Sequence, residues 1–224
     1  MKIQNMLDLQ KKLNDSTNGE GWEEGVSPKN GKIIDWNRAI WLECAEGAES
    51  FPWKHWKDVA AEPDMENARI ETVDIWHFIL SEMISISENP SKEIRKALKK
   101  VSSTEKKNPI QAFEKMAFQA LKLQKRKGKI SSYLKVFFEL MYSVELDFDS
   151  LYKLYMMKNV LNEIRQENGY QEGTYVKVFI VPDISNEMIE DNVIMKYILD
   201  NNPDFEADKL KDAFMLLYEE YSVR

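Results

Sequence analysis

The segment "EPDMENARIETVDIWHFILSEMISI", residues 62–86, carries the strongest helical pattern in the chain. Its core-facing positions recur at helical spacing and form one stripe, which consists of Ile70, Val73, His77 and Leu80. Glu71, Asp74 and Phe78 fall on the neighbouring stripe. Two acids three positions apart inside an apolar and aromatic run are costly to bury unless a positive group meets them. The segment therefore predicts a core helix with a charged site at its edge.

The same helical pattern extends over most of the chain. Only 8 Gly and 7 Pro interrupt 224 residues, and amphipathic segments follow one another along the sequence. Asp35 stands where a helix N-cap is expected, at the start of "DWNRAIWLECAEGAES". Near the end, "YVKVFIVPD" (175–183) predicts a short strand, and 185–201 and 204–223 predict two closing helices. We predict an all-α multi-helix bundle with at most one short strand element.

Composition narrows the class of protein. The net charge of −7 argues against a nucleic-acid partner. No run approaches the ~20 apolar residues of a membrane span, and the N-terminus lacks the apolar core of a secretory signal. The single cysteine, Cys44, excludes an intrachain disulfide and is expected to be a small buried apolar residue. We expect a soluble cytoplasmic protein with no nucleic-acid or membrane partner.

A second pair of acids, Glu43 and Glu46, lies at the same spacing in the preceding predicted helix. Residues three apart project from the same face of a helix, so two such helices can bring four carboxylates to one point. Such pairs are common on solvated helices, but these two lie in apolar and aromatic surroundings with few cations one turn away. A hard divalent cation such as Mg²⁺, which prefers oxygen ligands, would relieve the repulsion. Glu43, Glu46, Glu71 and Asp74 are therefore the candidate metal ligands.

Aromatic and basic residues lie between the two acid pairs, in "FPWKHWK". The tryptophans, Trp53 and Trp56, either plug the bundle, an interpretation that we favour for Trp56, or form a wall beside a nucleotide. In the second interpretation Lys54 and Lys57 contact phosphate, and His55 lies beside the base or sugar. His77, one turn past Asp74, is interpreted first as a hydrogen-bonded core histidine and second as a residue that orients a metal ligand.

Two further groups of polar residues could bind a nucleotide. Near the end of a predicted helix and in the loop after it lie Lys158, Asn162, Arg165, Asn168, Tyr170, Tyr175 and Lys177. Arginine and lysine bind phosphates, and asparagine can both donate and accept at a base edge or a ribose hydroxyl. The alternative is a helix that ends at Asn168-Gly169 with a solvated C-terminus. At the N-terminus, Gln10 and Asn14 lie one helical turn apart and could form hydrogen bonds with the edge of a pyrimidine base.

The chain resembles the dimeric all-α dUTPases, which are relatives of phage dCTPase–dUTPases and of MazG-type nucleotide pyrophosphohydrolases. The matching stretches are "LQKKLND", "WLECAEGAESFPWKHWK", "RIETVDIWHFIL" and "KNVLNEIRQENGYQEGTYVK". The resemblance implies one catalytic domain over 1–224, with a variable helical insertion around 89–130 and a C-terminal helical extension over 185–224. Gly47 departs from the family pattern, in which a bulkier apolar residue is expected. It predicts a close approach of the substrate or of a partner helix.

The resemblance also implies a mechanism. Glu43, Glu46, Glu71 and Asp74 would bind Mg²⁺, or Mn²⁺ as a substitute, and Glu43 would deprotonate the attacking water. Hydrolysis would convert dUTP to dUMP and pyrophosphate, and dUDP would also be a substrate. A homodimer is implied as well.

Substrate contacts follow from the same resemblance. The phosphate oxygens would be bound and neutralised by Lys158, Arg165 and Lys177, together with Lys54 or Lys57. The uracil and sugar would be held by Gln10, Asn14 and Asn162, with Trp53 and His55 nearby. Phe78 would pack on the deoxyribose where a 2′-hydroxyl would clash, and Tyr170 would line the same pocket.

Three alternatives stay open at this point. The same chemistry could act on dCTP or on another deoxynucleotide, because an asparagine or glutamine amide can present either its donor or its acceptor to the base. The chain could instead be a non-catalytic helical interaction protein. In a third alternative, the lysine-rich segment 92–107 docks an acidic partner.

Overall fold

The computed structural model of the protein describes residues 1–58, 60–101, 107–123, 130–202 and 206–223. The chain divides into two compact units, Met1–Tyr155 and Met156–Arg224. The structure is 67% helical, with nine helices and one two-stranded sheet in the described residues, which confirms the predicted all-α class. Among the described helices, none combines the length and the apolar content that crossing a membrane requires.

The first unit contains six complete helices and the first part of a seventh. Their bounds are α1 Lys2–Asn18, α2 Trp36–Glu49, α3 Met65–Ile86, α4 Pro90–Leu98, α5 Pro109–Leu123, α6 Ile130–Ser143 and α7 Phe148–Glu167, with a short 3₁₀ helix at Trp22–Glu24. α4 includes the first residues of the lysine-rich segment 92–107. Residues 102–106 of that segment and residues 124–129 of the predicted insertion lie outside the described residues.

The helices that carry the acid pairs begin at capped positions. The Asp35 side chain accepts a hydrogen bond of 3.0 Å from the Arg38 backbone N–H, and Asp64 accepts one of 2.9 Å from the Asn67 N–H. Such caps satisfy backbone donors that have no partner within the helix. They confirm the predicted cap at Asp35 and define where α2 and α3 start.

The core of the first unit forms around α3, which buries most of its surface. Trp76 is fully buried and stacks on Phe137 of α6, with 4.7 Å between the ring centroids. α2 packs against both α3 and α5, and its Cys44 is 2% exposed, as predicted for a small apolar residue. Gly47 of α2 packs so closely against Phe113 of α5 that a Cβ there would lie 2.3 Å from a ring carbon. The close approach predicted at Gly47 therefore comes from a partner helix.

The second unit contains the end of α7, a hairpin and two helices. The strands β1 Val178–Val181 and β2 Ser185–Glu190 pair antiparallel, and α8 Asp191–Asp200 and α9 Ala207–Tyr221 follow. Phe179 of β1 is fully buried, and its ring meets the ring of Phe214 of α9 edge-on at 5.8 Å. The prediction of a helix from residue 185 is wrong for its first six residues, because β1 provides a hydrogen-bonding partner for them.

Candidate active site

The two acid pairs come together in the first unit. One carboxylate oxygen from each of Glu43, Glu46 and Glu71 lies within 4.8 Å of the other two. Asp74, the fourth member, is close enough for its charge to act on Glu43. The i,i+3 spacing in α2 and in α3 aims each pair to one side of its helix, and the packing of α2 on α3 brings the pairs face to face.

The electrostatics of this carboxylate cluster are most evident at Glu43. Burial raises the pKa of Glu43 from 4.5 to about 9, helped by the charge of Asp74 and by a hydrogen bond with Glu71. Desolvation and neighbouring negative charges both favour the protonated form of a carboxyl group. Without a metal, Glu43 therefore holds a proton at neutral pH, and a divalent cation would take over the neutralising role of that proton.

The donor set fits a hard cation. The carboxylates of Glu43, Glu46 and Glu71 provide oxygen ligands within a few ångströms of one another, as Mg²⁺ and similar ions require. In the described part of the chain, the ligand atoms that converge here do not include the thiol of the buried Cys44, and burial raises the pKa of that thiol. The cluster can thus hold a divalent cation with oxygen ligands alone.

The predicted amides and His77 belong to a second buried network, which joins α1, α3 and the start of α7. His77 Nδ1 lies 2.7 Å from Gln10 Oε1, and the His77 ring stacks on the Tyr155 ring with 4.3 Å between the ring centroids. Asn14 donates to Ser81 Oγ at 2.9 Å. Sequence reasoning did not identify Ser81 or Tyr155, because their partners lie 71 and 145 residues away at Gln10.

An aromatic stack supports Phe78, the residue predicted to pack on the deoxyribose. The Phe78 ring stacks on Trp36 of α2, with 6.0 Å between centroids and 26° between planes. Trp36 in turn meets the fully buried Trp22 edge-on at 5.7 Å. These contacts limit the positions that the Phe78 ring can adopt. Sequence reasoning did not identify Trp36 as part of the site.

The "WKHWK" loop is more exposed than the plug interpretation requires. Trp56 is 63% exposed, so the prediction that it plugs the bundle is wrong. It packs edge-on against His55 at 4.8 Å and against Trp53 at 5.9 Å, which makes a small aromatic cluster at the surface. Lys54 forms an ion pair with Glu49 and lies 5.7 Å from the centroid of the Trp53 ring.

A cleft of about 330 Å³ lies beside this loop, with Lys54 and Lys57 in its lining. Glu49 and Asn67 also line it. Glu49 lies three residues after Glu46 in α2, and Asn67 lies four residues before Glu71 in α3. The cleft therefore adjoins the helix turns that carry the carboxylate cluster. The cleft offers both cations and acids next to the candidate metal site.

Several candidate residues of the second unit make hydrogen bonds within that unit. Arg165 donates to both carboxylate oxygens of the fully buried Asp191, at 2.9 and 2.8 Å, and Tyr175 donates to Asp191 at 3.0 Å. Lys158 donates to Asn192 at 3.0 Å. A bidentate pair of this kind holds the start of α8 against the end of α7.

The remaining candidates of the second unit are placed as follows. Asn162 accepts a 3.3 Å hydrogen bond from Arg165. Lys177 forms an ion pair of 3.2 Å with Glu190. Asn168 donates to the Ile164 carbonyl, and the half-exposed Tyr170 lies under the Arg165 guanidinium, 5.6 Å from it.

Comparison with known families agrees with the site. The dUTPase family model matches residues 2–170, a range that contains both acid pairs, the amides and the aromatic loop. A comparison with curated proteins returned no match. The match extends over most of the chain and confirms the resemblance drawn from the sequence, so this chain is a member of the dUTPase family, enzymes that hydrolyse dUTP.

Proposed function

We propose that the protein is a Mg²⁺-dependent dUTP diphosphatase that also accepts dUDP, and that the carboxylate cluster is its catalytic centre. The observation that carries the proposal is the set of three carboxylate oxygens within 4.8 Å of one another, on two helices. Family membership supports dUTP hydrolysis. To this activity the proposal adds the preference for Mg²⁺, the use of dUDP and the roles of individual residues.

Glu43, Glu46, Glu71 and Asp74 are the residues that would hold Mg²⁺, with Mn²⁺ as a substitute. When bound, the metal would neutralise the phosphate oxygens and stabilise the charge that spreads over them during hydrolysis. Glu43 would act as the base. It lies half-buried among the other carboxylates of the cluster, and a carboxylate beside the bound metal is suited to accept a proton from the attacking water.

The rest of the site would bind the substrate. Asn14 is proposed to contact the uracil, with its amide held in place by Gln10, and Phe78 is proposed to pack on the deoxyribose where a 2′-hydroxyl would clash. Lys54 and Lys57 are proposed to meet the phosphates from the cleft. We retain Lys158, Arg165 and Lys177 as further candidates for phosphate contacts, Asn162 for the base or sugar, and a homodimer as the assembly.

The test compares Glu46→Gln with the wild-type protein and with a matched control, Glu66→Gln. Glu66 lies in the first turn of α3 with a side chain that is 62% exposed, so the same change there should leave turnover unchanged. Release of phosphate or pyrophosphate is measured from dUTP, dUDP, dCTP and dTTP, with and without Mg²⁺. We expect Glu46→Gln to abolish Mg²⁺-dependent turnover while circular dichroism shows an intact fold. Unchanged turnover in Glu46→Gln would mean that the cluster is not the catalytic centre, and faster turnover of dCTP than of dUTP would favour the dCTPase alternative.

A further inference from the structure

We propose that Ser81 contributes to the choice of pyrimidine base by holding the amides of Gln10 and Asn14 in one orientation. The proposal rests on the proposed function, in which Asn14 contacts the base. The side-chain types leave the choice between uracil and cytosine open, because an amide can present its oxygen or its nitrogen. The hydrogen bonds around Ser81 remove that freedom.

The Ser81 hydroxyl lies at the centre of the buried network and is fully buried. Its one hydrogen is donated to the backbone carbonyl of His77 at 2.9 Å. The oxygen is then left as an acceptor, and it receives Gln10 Nε2 at 3.0 Å and Asn14 Nδ2 at 2.9 Å. Both amide nitrogens therefore face Ser81, and both amide oxygens face away from it.

The orientation of Gln10 has consequences for its other neighbours. Its second Nε2 hydrogen is donated to Asn14 Oδ1 at 3.2 Å. Its Oε1 faces His77 Nδ1 at 2.7 Å, and because an amide oxygen only accepts, His77 Nδ1 must carry a hydrogen. The Tyr155 hydroxyl hydrogen is shared between Met6 O at 2.9 Å and Gln10 Oε1 at 3.1 Å. Gln10 is thus a positioning residue, with both of its amide hydrogens already used.

Asn14 keeps a hydrogen-bonding edge for another group. With its bonds to the described residues counted, one Nδ2 hydrogen and one acceptor site on Oδ1 remain. Reversing the amide would aim Oδ1 at the Ser81 oxygen and Nδ2 at Gln10 Nε2. While the Ser81 hydrogen stays on the His77 carbonyl, an acceptor would then meet an acceptor and a donor would meet a donor. Asn14 is 4% exposed and Gln10 is 3% exposed, so a mismatched hydrogen bond between these amides is costly.

An amide locked in this way distinguishes the two bases. Uracil presents an N–H donor at N3 beside an acceptor at O4, whereas cytosine presents an acceptor at N3 beside an amino donor. The order of donor and acceptor is therefore reversed between the two bases, and a fixed amide matches only one order for a base held in one position. Ser81 would contribute to base specificity without touching the substrate.

The experiment measures kcat/KM for dUTP and for dCTP in the wild-type protein, in Ser81→Ala and in a matched control, Ser85→Ala. Ser85 makes the same kind of bond, to the Ser81 carbonyl four residues earlier at 3.2 Å, and no hydrogen bond joins it to either amide. We expect Ser81→Ala to bring the kcat/KM values for the preferred and the disfavoured base closer together. The ratio of the preferred to the disfavoured value should fall by about tenfold, which is the scale of one mismatched buried hydrogen bond. Ser85→Ala should leave the ratio within about twofold of the wild-type value on the same scale. An unchanged ratio in Ser81→Ala, or a wild-type enzyme without preference, overturns the proposal.

A further variant, Asn14→Asp, separates this inference from the proposed function. It replaces the Nδ2 group of Asn14 by an acceptor oxygen, so both the remaining N–H donor and the N–H donated to Ser81 are lost. If Asn14→Asp shifts the ratio and Ser81→Ala does not, only the role of Ser81 fails. If neither variant shifts the ratio, the proposed contact between Asn14 and the base fails as well.

A measurement on the wild-type protein does not depend on whether Ser81→Ala folds. Nuclear Overhauser contacts are expected between the Asn14 Nδ2 hydrogens and the Ser81 β hydrogens, because Nδ2 lies 2.9 Å from Ser81 Oγ. Contacts from Nδ2 to Gln10 alone would show a reversed amide and would overturn the proposal.

Discussion

Replacing Gly47 by alanine should destabilise the first unit, although alanine is the better helix former. Intrinsic propensity alone predicts that alanine in the interior of α2 stabilises the protein by up to ~1 kcal/mol. Packing predicts the opposite, because the new Cβ would lie 2.3 and 2.4 Å from two ring carbons of Phe113. Carbon atoms in contact are normally about 3.5–4.0 Å apart.

The size of the effect follows from how little the ring can move. Phe113 is fully buried and packs against Phe51, with 6.4 Å between ring centroids. Removing an overlap of more than about 1 Å must therefore separate α2 from α5 or force Phe113 off its rotamer, at a cost of ~3 kcal/mol, near the upper end for overpacked cores. After subtraction of the helix-propensity gain, we expect a net loss of ~2 kcal/mol, or roughly 4–8 °C in Tm.

The assay is urea unfolding followed by tryptophan fluorescence. All six tryptophans lie in Met1–Tyr155, so their fluorescence reports that unit alone. The control is Ala45→Gly on an exposed position of the same helix, which should cost ~1 kcal/mol through propensity alone. A Phe113→Leu change in the Gly47→Ala background should recover part of the loss, because it removes the ring atoms that clash. A Gly47→Ala protein that is more stable than wild type would refute the packing argument.

Three further predictions concern the titration of Glu43 and the Arg165–Asp191 pair. Because the pKa of Glu43 rises from 4.5 in the unfolded chain to about 9 in the metal-free folded protein, the folded state binds more protons between these values. The contribution of Glu43 to the stability of the metal-free protein should then fall as pH rises from 4.5 to 9. In thermal melts with chelator, the stability of Glu43→Gln should therefore fall less over this pH range than that of the wild-type protein, and an equal fall in the two proteins would contradict the assignment. Metal binding at pH 7 should release about one proton, because carboxylate ligands must deprotonate to bind a metal. Calorimetry in two buffers of different ionisation enthalpy measures this proton release. Binding heats that do not depend on the buffer would argue against a protonated Glu43. Asp191→Asn should destabilise the second unit by ~3–5 kcal/mol, because it removes the fully buried carboxylate charge that binds the Arg165 guanidinium through two hydrogen bonds. Hydrogen exchange of amides in Met156–Arg224 measures the loss, and unchanged protection would show that the pair does not stabilise this unit.

Features that depend on neighbours within one or two helical turns were accessible from the sequence. The all-α class, the cap at Asp35 and the buried state of Cys44 all follow from local spacing and residue type. The two acid pairs were accessible for the same reason, because an i,i+3 spacing defines a common face wherever the helix lies. The strand β2 was not, since its exposed and mainly polar segment forms a strand only because β1 offers a hydrogen-bonding edge.

The sequence by itself therefore determined that two helices each present two acids on one face, and it pointed to the family. Only the tertiary structure decided what these helices meet: Gly47 fits against Phe113, Trp36 stacks on Phe78, and Ser81 orients amides that lie about 70 residues earlier in the chain. The physical reason is that a hydrogen bond or a ring contact depends on both partners and on the distance between them, whereas the pattern of one segment specifies only its own side of the contact.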